Sequence, residues 1–222
     1  VGVENMFGRS VGVAVHMVVL CASLLDGIVD EAFTELAARW KPLLDLAREE
    51  GITFGYELHP GSDLYDGATY EMFLDKVDNH EAACLTYDPS HFLLQQLDYL
   101  HFIRLYGERI RAVHVKDAEF NPDGRVGVYG GYQPWTGRAG RFRSLGDGQV
   151  DFGRMFTLLI EAGYEGWAIL EWECCIKSSD QGAREGAPFI ENLLIDQTEA
   201  AFDDFAGGAT DRETNRKMLG LV

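Results

Sequence analysis

Along this chain the apolar positions switch repeatedly between a helical and an extended period. Over residues 30–50, Phe33, Leu36, Trp40, Leu43, Leu44 and Ala47 fall three and four apart, the stripe of an amphipathic helix that Pro42 is expected to bend. Gly51 closes that helix, and Ile52-Thr53-Phe54-Gly55-Tyr56 follows as a strand that runs out at Glu57. The alternation then recurs. It predicts a helix over 70–77, a strand over 82–87 reaching Asp88, a helix over 93–106 and a strand over 110–115 carrying His114. Residues 121–149 read as a long polar, glycine-rich loop, of a length that commonly covers an active site. A helix over 150–162, a strand over 166–170 reaching Glu171 and a last helix over 187–205 complete the pattern, and 207–222 reads as a polar, peripheral tail.

Strands joined by helix-length connections pair in parallel, so the class is α/β with helices covering a parallel sheet. Counting the apolar run 11–20, the strands number five. A closed (β/α)₈ TIM barrel needs eight and about 250 residues, so the expectation is one barrel domain over 1–206 that is incomplete at its N-terminus. The alternative, an open doubly wound sheet, would carry a glycine-rich phosphate loop after its first strand, and none is present. The run 11–25, which contains His16, is shorter than the roughly 20 residues of a bilayer crossing. It also lacks a basic stretch before it and a clear cleavage site after it, and it is read as a buried strand, with no membrane association expected.

Composition matters here for what it excludes. A net charge of -17, with 19 Lys+Arg and no basic run, argues against nucleic acid as a partner, because phosphate neutralisation needs clustered cations. Cys21, Cys84, Cys174 and Cys175 show no CxxC spacing, so neither a zinc ribbon nor a disulfide framework is indicated, and a reducing, cytoplasmic setting fits.

The chemistry sits at the strand ends. Glu57, Asp88, His114 and Glu171 each stand where an apolar run stops, and the ends of successive parallel strands converge. Their spacings of 31, 26 and 57 residues match one βα unit, one more, and one unit plus the long loop. An acid at one strand end is ordinarily a helix cap, but four ligand-type residues in succession point to a shared site. Three carboxylates and an imidazole suit one divalent ion, Mn²⁺, Mg²⁺, Co²⁺ or Zn²⁺, with no thiolate to bias the choice toward zinc. Such a centre polarises a carbonyl while a nearby carboxylate takes a proton from the adjacent carbon.

The segments Tyr56-Glu57-Leu58-His59-Pro60, Tyr87-Asp88-Pro89-Ser90-His91, His114-Val115-Lys116-Asp117 and Leu170-Glu171-Trp172-Glu173 carry a resemblance, together with the GDGQVDF stretch at 146–152. Over about 27–194 the chain resembles the sugar phosphate isomerase/epimerase family, the xylose isomerase-like TIM barrels. The resemblance implies one divalent metal ion held by Glu57, Asp88, His114 and Glu171. It also implies that Glu57 and Glu171 exchange a proton with the carbon beside the carbonyl of a small ketose or sugar phosphate, through an enediolate. His91 is similar to the family's substrate-binding histidine. Residues 1–26 depart from the family pattern.

Other roles stay open at this stage. His59 either orients Glu57 or serves the turn before Pro60, and Lys116 and Asp117 either bind substrate or brace His114. Glu173 competes with Glu171, two residues away on the same side of an extended chain. Arg141 and Arg143 are candidates for gripping a substrate hydroxyl, carboxylate or phosphate. Trp135 and Trp172 either stack on a sugar or pack in the core. An incomplete barrel leaves sheet edges exposed, so a homo-oligomer is expected. The leading reading is a sugar isomerase or epimerase. A dehydratase of an inositol-derived ketone uses the same logic, a truncated non-catalytic barrel is the non-enzymatic alternative, and an endonuclease IV-like phosphodiesterase is disfavoured by charge.

Overall fold

The computed structural model describes residues 28–128, 130, 132–196 and 211–221. Helix α1, Ile28–Glu49, turns Phe33, Leu36, Ala37, Trp40, Leu44 and Ala47 inward and runs through Pro42. Leu43, which the periodicity placed on the same stripe, is exposed. Strand β1 is Phe54–Glu57. Helix α2, Gly67–Lys76, opens on a capping box in which Asp66 and Thr69 satisfy each other's backbone N–H groups. Strand β2, Ala83–Tyr87, leads into α3, Pro89–Leu94, and α4, Tyr99–Tyr106. Strand β3 is Ile110–Val115, β4 is Asp117–Phe120 and β5 is Gly140–Arg143. Helix α5 is Phe152–Glu161, β6 is Trp167–Leu170, α6 is Ser179–Glu191 and α7 is Arg212–Met218.

β1, β2, β3 and β6 form a parallel sheet in that order, with Glu57 beside Thr86, Tyr87 beside Val113, and His114 beside Ile169. The α/β class and the parallel sheet therefore stand as expected, and the strand expected over 11–20 lies outside the described residues. Alternation across the strands sends Tyr56, Leu85, Tyr87, Val113 and Val115 against the helices, where they meet Trp40, Phe73, Phe92, Ile103 and Leu159. His114, between two buried valines, points the other way. No helix among the described residues is long and apolar enough to cross a membrane.

Three sequence expectations are corrected. The helix expected over 93–106 is two helices, because Gln96 takes a left-handed backbone (φ 59°) and Asp98 restarts the chain as a cap on the His101 N–H. The loop expected over 121–149 contains β5, which pairs antiparallel with β4 to make a hairpin. The helix expected over 187–205 is α6, which begins at Ser179, capped by Ser178, and ends at Glu191. Its glycines disguise it in the sequence but are required. A Cβ at Gly182 would lie 1.9 Å from Trp172 Nε1, and one at Gly186 would lie 2.7 Å from the Leu170 side chain.

Candidate metal centre

Each strand of the parallel sheet ends in one member of a cluster. Glu57 closes β1, Asp88 follows β2, His114 is the last but one residue of β3 and Glu171 follows β6. One ligand atom from each lies within 4.8 Å of all the others. His114 Nδ1 stands 3.2 Å from Glu57 Oε1, 2.5 Å from Glu171 Oε2 and 4.0 Å from Asp88 Oδ2. The local sequence explains the aim of Asp88. Its Oδ1 caps α3 by accepting from the Ser90 N–H and Oγ at 2.8 and 2.7 Å, and Pro89 fixes the first helical position. Oδ2 is thereby turned into the cluster, buried and without a hydrogen bond. Glu171 Oε2 is likewise buried, close to His114 but without the alignment of a hydrogen bond.

Two orphaned carboxylate oxygens facing an imidazole across a gap of a few ångströms are what a divalent cation would satisfy. The oxygen and nitrogen donors, with no sulfur among them, fit a hard or borderline ion. The clustered groups also shift one another's protonation. Burial pushes the Glu57 carboxyl up, but the hydrogen bond with His114 and the nearby His91 ring outweigh it and hold the group below the usual carboxylate range. Burial also works against ionised Glu171, yet His114 and Lys116 bring it down to about 2. At His114 burial favours the neutral ring, and Glu171 and Glu57 override it, raising the imidazole to about 10. Asp88, fully enclosed, is raised by burial in spite of His91 and Lys116. The site is thus a set of charges held together by one another.

The remaining candidates divide into those beside the cluster and those held elsewhere. His91 is 3% exposed, with Nε2 3.4 Å from Asp88 Oδ2 and 3.5 Å from Glu57 Oε1. His59 packs edge-on against His91 at 4.2 Å and donates from Nδ1 to the Pro60 carbonyl. Lys116 reaches Glu171 at 2.8 Å and Glu173 at 3.4 Å. Asp117, by contrast, accepts from the N–H groups of Ala118, Gly146, Gly148 and Val150, so its carboxylate clasps the loop after β5 and does not brace His114. The loop must be glycine at 148, where a Cβ would sit 2.2 Å from Asp117 Oδ1. Arg141 and Arg143 both bind Glu119 Oε1, at 2.5 and 2.7 Å. Trp172 donates to Ser144 Oγ at 3.2 Å, and Trp135 packs on Phe142 beneath Arg138.

Phe142 is the residue the sequence reading passed over. Its ring lies 4.4 Å from Lys116 Nζ and 5.5 Å from the His91 ring, so the hairpin forms a wall of the centre. The signal was present in Gly140-Arg-Phe-Arg, where one apolar residue between two charged ones is the period of a short strand.

Residues 7–193 match the xylose isomerase-like TIM barrel family, so the match begins ahead of residue 27 and takes in most of the stretch expected to depart from the family pattern. The chain belongs to that family. An inosose dehydratase of Geobacillus thermodenitrificans is 33% identical over 129 residues, which are 58% of this chain and 43% of the relative. The chain spans about half the length of the curated relatives it matches. Among solved structures, a xylose isomerase domain protein from Planctomyces limnophilus superposes with a TM-score of 0.60 at 21% identity, covering 83% of this chain and 59% of that one. The IolI protein, solved with a zinc atom, gives 0.52 at 17% identity over 83% of this chain and 62% of its own. At those identities the structural likeness is one of fold.

Proposed function

We propose that this chain carries the centre of a divalent-metal-dependent enzyme that isomerises or epimerises a small ketose or sugar phosphate by moving a proton beside its carbonyl. The observation that carries this reading is the convergence of Glu57, Asp88, His114 and Glu171, with ligand atoms within 4.8 Å, at the C-terminal ends of four parallel strands. Those four residues would hold the ion, which when bound supplies Lewis-acid polarisation of the substrate carbonyl. Glu57 and Glu171 lie in the cluster itself, so each carboxylate would be within reach of the carbon beside a metal-bound carbonyl and would take its proton. His91 Nε2, buried without a hydrogen bond, is placed to meet a substrate hydroxyl. Phe142, with its ring 4.4 Å from Lys116 Nζ, would form an apolar wall on this side of the substrate.

A second reading has its own support. The curated relatives near 30% identity are inosose dehydratases, which favours a polyhydroxylated cyclic ketone losing a hydroxyl after the same proton removal. Incubating the Mn²⁺-loaded protein with ketoses and inososes in heavy water, followed by proton NMR, separates the two. Deuterium at the carbon beside the carbonyl without water loss supports isomerisation or epimerisation, and loss of a hydroxyl supports dehydration. Metal binding with no isotope exchange on any ketone would overturn both and leave a non-catalytic barrel.

A further inference from the structure

Glu171 and Glu173 pose a problem that the backbone alone does not solve. Residues two apart in an extended segment project the same way, so both carboxylates lie on the side of the cluster. His114, on the neighbouring strand β3, and Lys116, just past its end, are likewise two apart, and the Glu171 N–H bonds to the Val115 carbonyl at 3.3 Å, which locks the two pairs side by side. The result is a ladder of alternating charge: His114 to Glu171 at 2.5 Å, Lys116 to Glu171 at 2.8 Å and Lys116 to Glu173 at 3.4 Å.

Lys116 is deeply placed, with its side chain 3% exposed, the Phe142 ring over its ammonium and Asp88 Oδ2 at 3.9 Å. Among the described residues it is the one lysine or arginine ion-paired with any of the four clustered residues, reaching Asp88 and Glu171. Its partners are divided unequally. It takes Glu171 by Oε1, leaving Oε2 to the cluster, and it takes Glu173 by Oε2 on the outer side, where that residue is half exposed.

We infer that Lys116 is a positioning residue that selects Glu171 over Glu173 as metal ligand, and so keeps one coordination position open for the substrate. This rests on the metal-centre reading above. A fourth carboxylate on the ion would increase affinity and at the same time fill the place a substrate oxygen needs. Holding Glu173 on an ammonium therefore trades metal affinity for an accessible ion.

The sign of the effect makes the inference testable with the metal alone. Replacing Lys116 by a neutral residue of similar length removes a positive charge near the ion and frees Glu173, and both changes favour the cation. The variant K116M should bind Mn²⁺ about tenfold or more tightly than the wild type in calorimetric titration, since ligand charge count sets affinity at oxygen sites. Water-proton relaxation should show fewer exchangeable waters on its bound Mn²⁺. K116M/E173Q should return the water count to the wild-type value, and E173Q alone should change affinity by less than about threefold. A lysine that merely supports the fold predicts the opposite: weaker binding in K116M and no recovery in the double variant. Either result overturns the inference. Should K116M not fold, the E173Q titration still decides, because a tenfold loss there would make Glu173 a ligand already. A wild-type protein that takes up no Mn²⁺ would instead sink the metal-centre reading.

Discussion

The same four strands build two regions of opposite character. On the side facing the helices, Leu44, Tyr70, Phe73, Leu85, Val113 and Leu159 are at most 1% exposed and pack as an apolar layer. At the C-terminal ends, Glu57, Asp88, His114, Lys116 and Glu171 are crowded together with orphaned oxygens between them. The first region is consistent at every level, from period to packing, and it sets stability. The second breaks the local rules and is held in place by the first. Rule-breaking concentrated at one end of a well-packed sheet is the mark of a site and not of a weak fold.

The most forceful way to break that division is to damage the apolar layer. Phe73 is fully buried, stacked edge-on against Tyr56 at 5.1 Å. Phe73→Ala should lower stability by about 3–5 kcal/mol in urea unfolding, the range for deleting a buried aromatic. The extra stability gained on adding Mn²⁺ should nonetheless persist in whatever fraction stays folded. A loss below about 1 kcal/mol would mean that the helix layer is not what holds the strands.

Asp88→Asn attacks the other region while sparing the fold. Asparagine caps helices about as well as aspartate, so α3 keeps its start and the metal-free protein should shift by less than about 1 kcal/mol. The metal-dependent gain should disappear. For the wild type that gain is about 2.7 kcal/mol at a free ion concentration one hundred times Kd, read as a thermal shift with and without Mn²⁺. A variant that still gains stability from the ion would remove Asp88 from the ligand set.

The two regions were also unequally legible in the sequence. The four clustered residues could be found because each sits at the end of a β-branched or apolar run, a signal that survives ignorance of the fold. The four strands of the parallel sheet and α1 were readable from the pattern of apolar positions. What escaped depends on tertiary contacts. Gln96 carries no glycine or proline to advertise the left-handed turn that splits α3 from α4. Gly182 and Gly186 read as helix breakers, yet Trp172 and Leu170 occupy the space where their side chains would be. Arg141 and Arg143 looked like free substrate-gripping cations because their partner, Glu119, lies 22 and 24 residues away across a hairpin made of two four-residue strands.

Two tyrosines sharpen the comparison inside the apolar layer. Tyr70 donates its hydroxyl to the Ala83 carbonyl at 2.7 Å, whereas the Tyr56 hydroxyl is buried with no hydrogen bond. Burial pushes both phenols well above their ordinary range. Tyr70→Phe should cost about 1 kcal/mol, and Tyr56→Phe should be neutral or add about 1 kcal/mol, because it deletes an unsatisfied group without changing the ring. Equal losses in the two variants would show that Tyr56 has a partner after all.

The smallest effect belongs to the hairpin, which lies between the two regions. Burial raises the Glu119 carboxyl, but hydrogen bonds from Arg141 and Arg143 outweigh it and leave the group below its ordinary value. A carboxylate depressed in the folded state contributes stability above its unfolded value of about 4.3, and that contribution is lost as pH falls through the folded value. Glu119→Gln removes the charge at every pH. The wild type should therefore exceed the variant by about 1 kcal/mol or less at neutral pH. The gap should narrow as urea midpoints are followed from about pH 7 to about pH 3, where wild-type Glu119 is itself becoming neutral. A gap that widened toward acid would mean that the two arginines do not stabilise the ionised form. The hairpin would then be held by Phe142 against Lys116 and His91, which ties it to the charged end of the sheet and not to its own ion pairs.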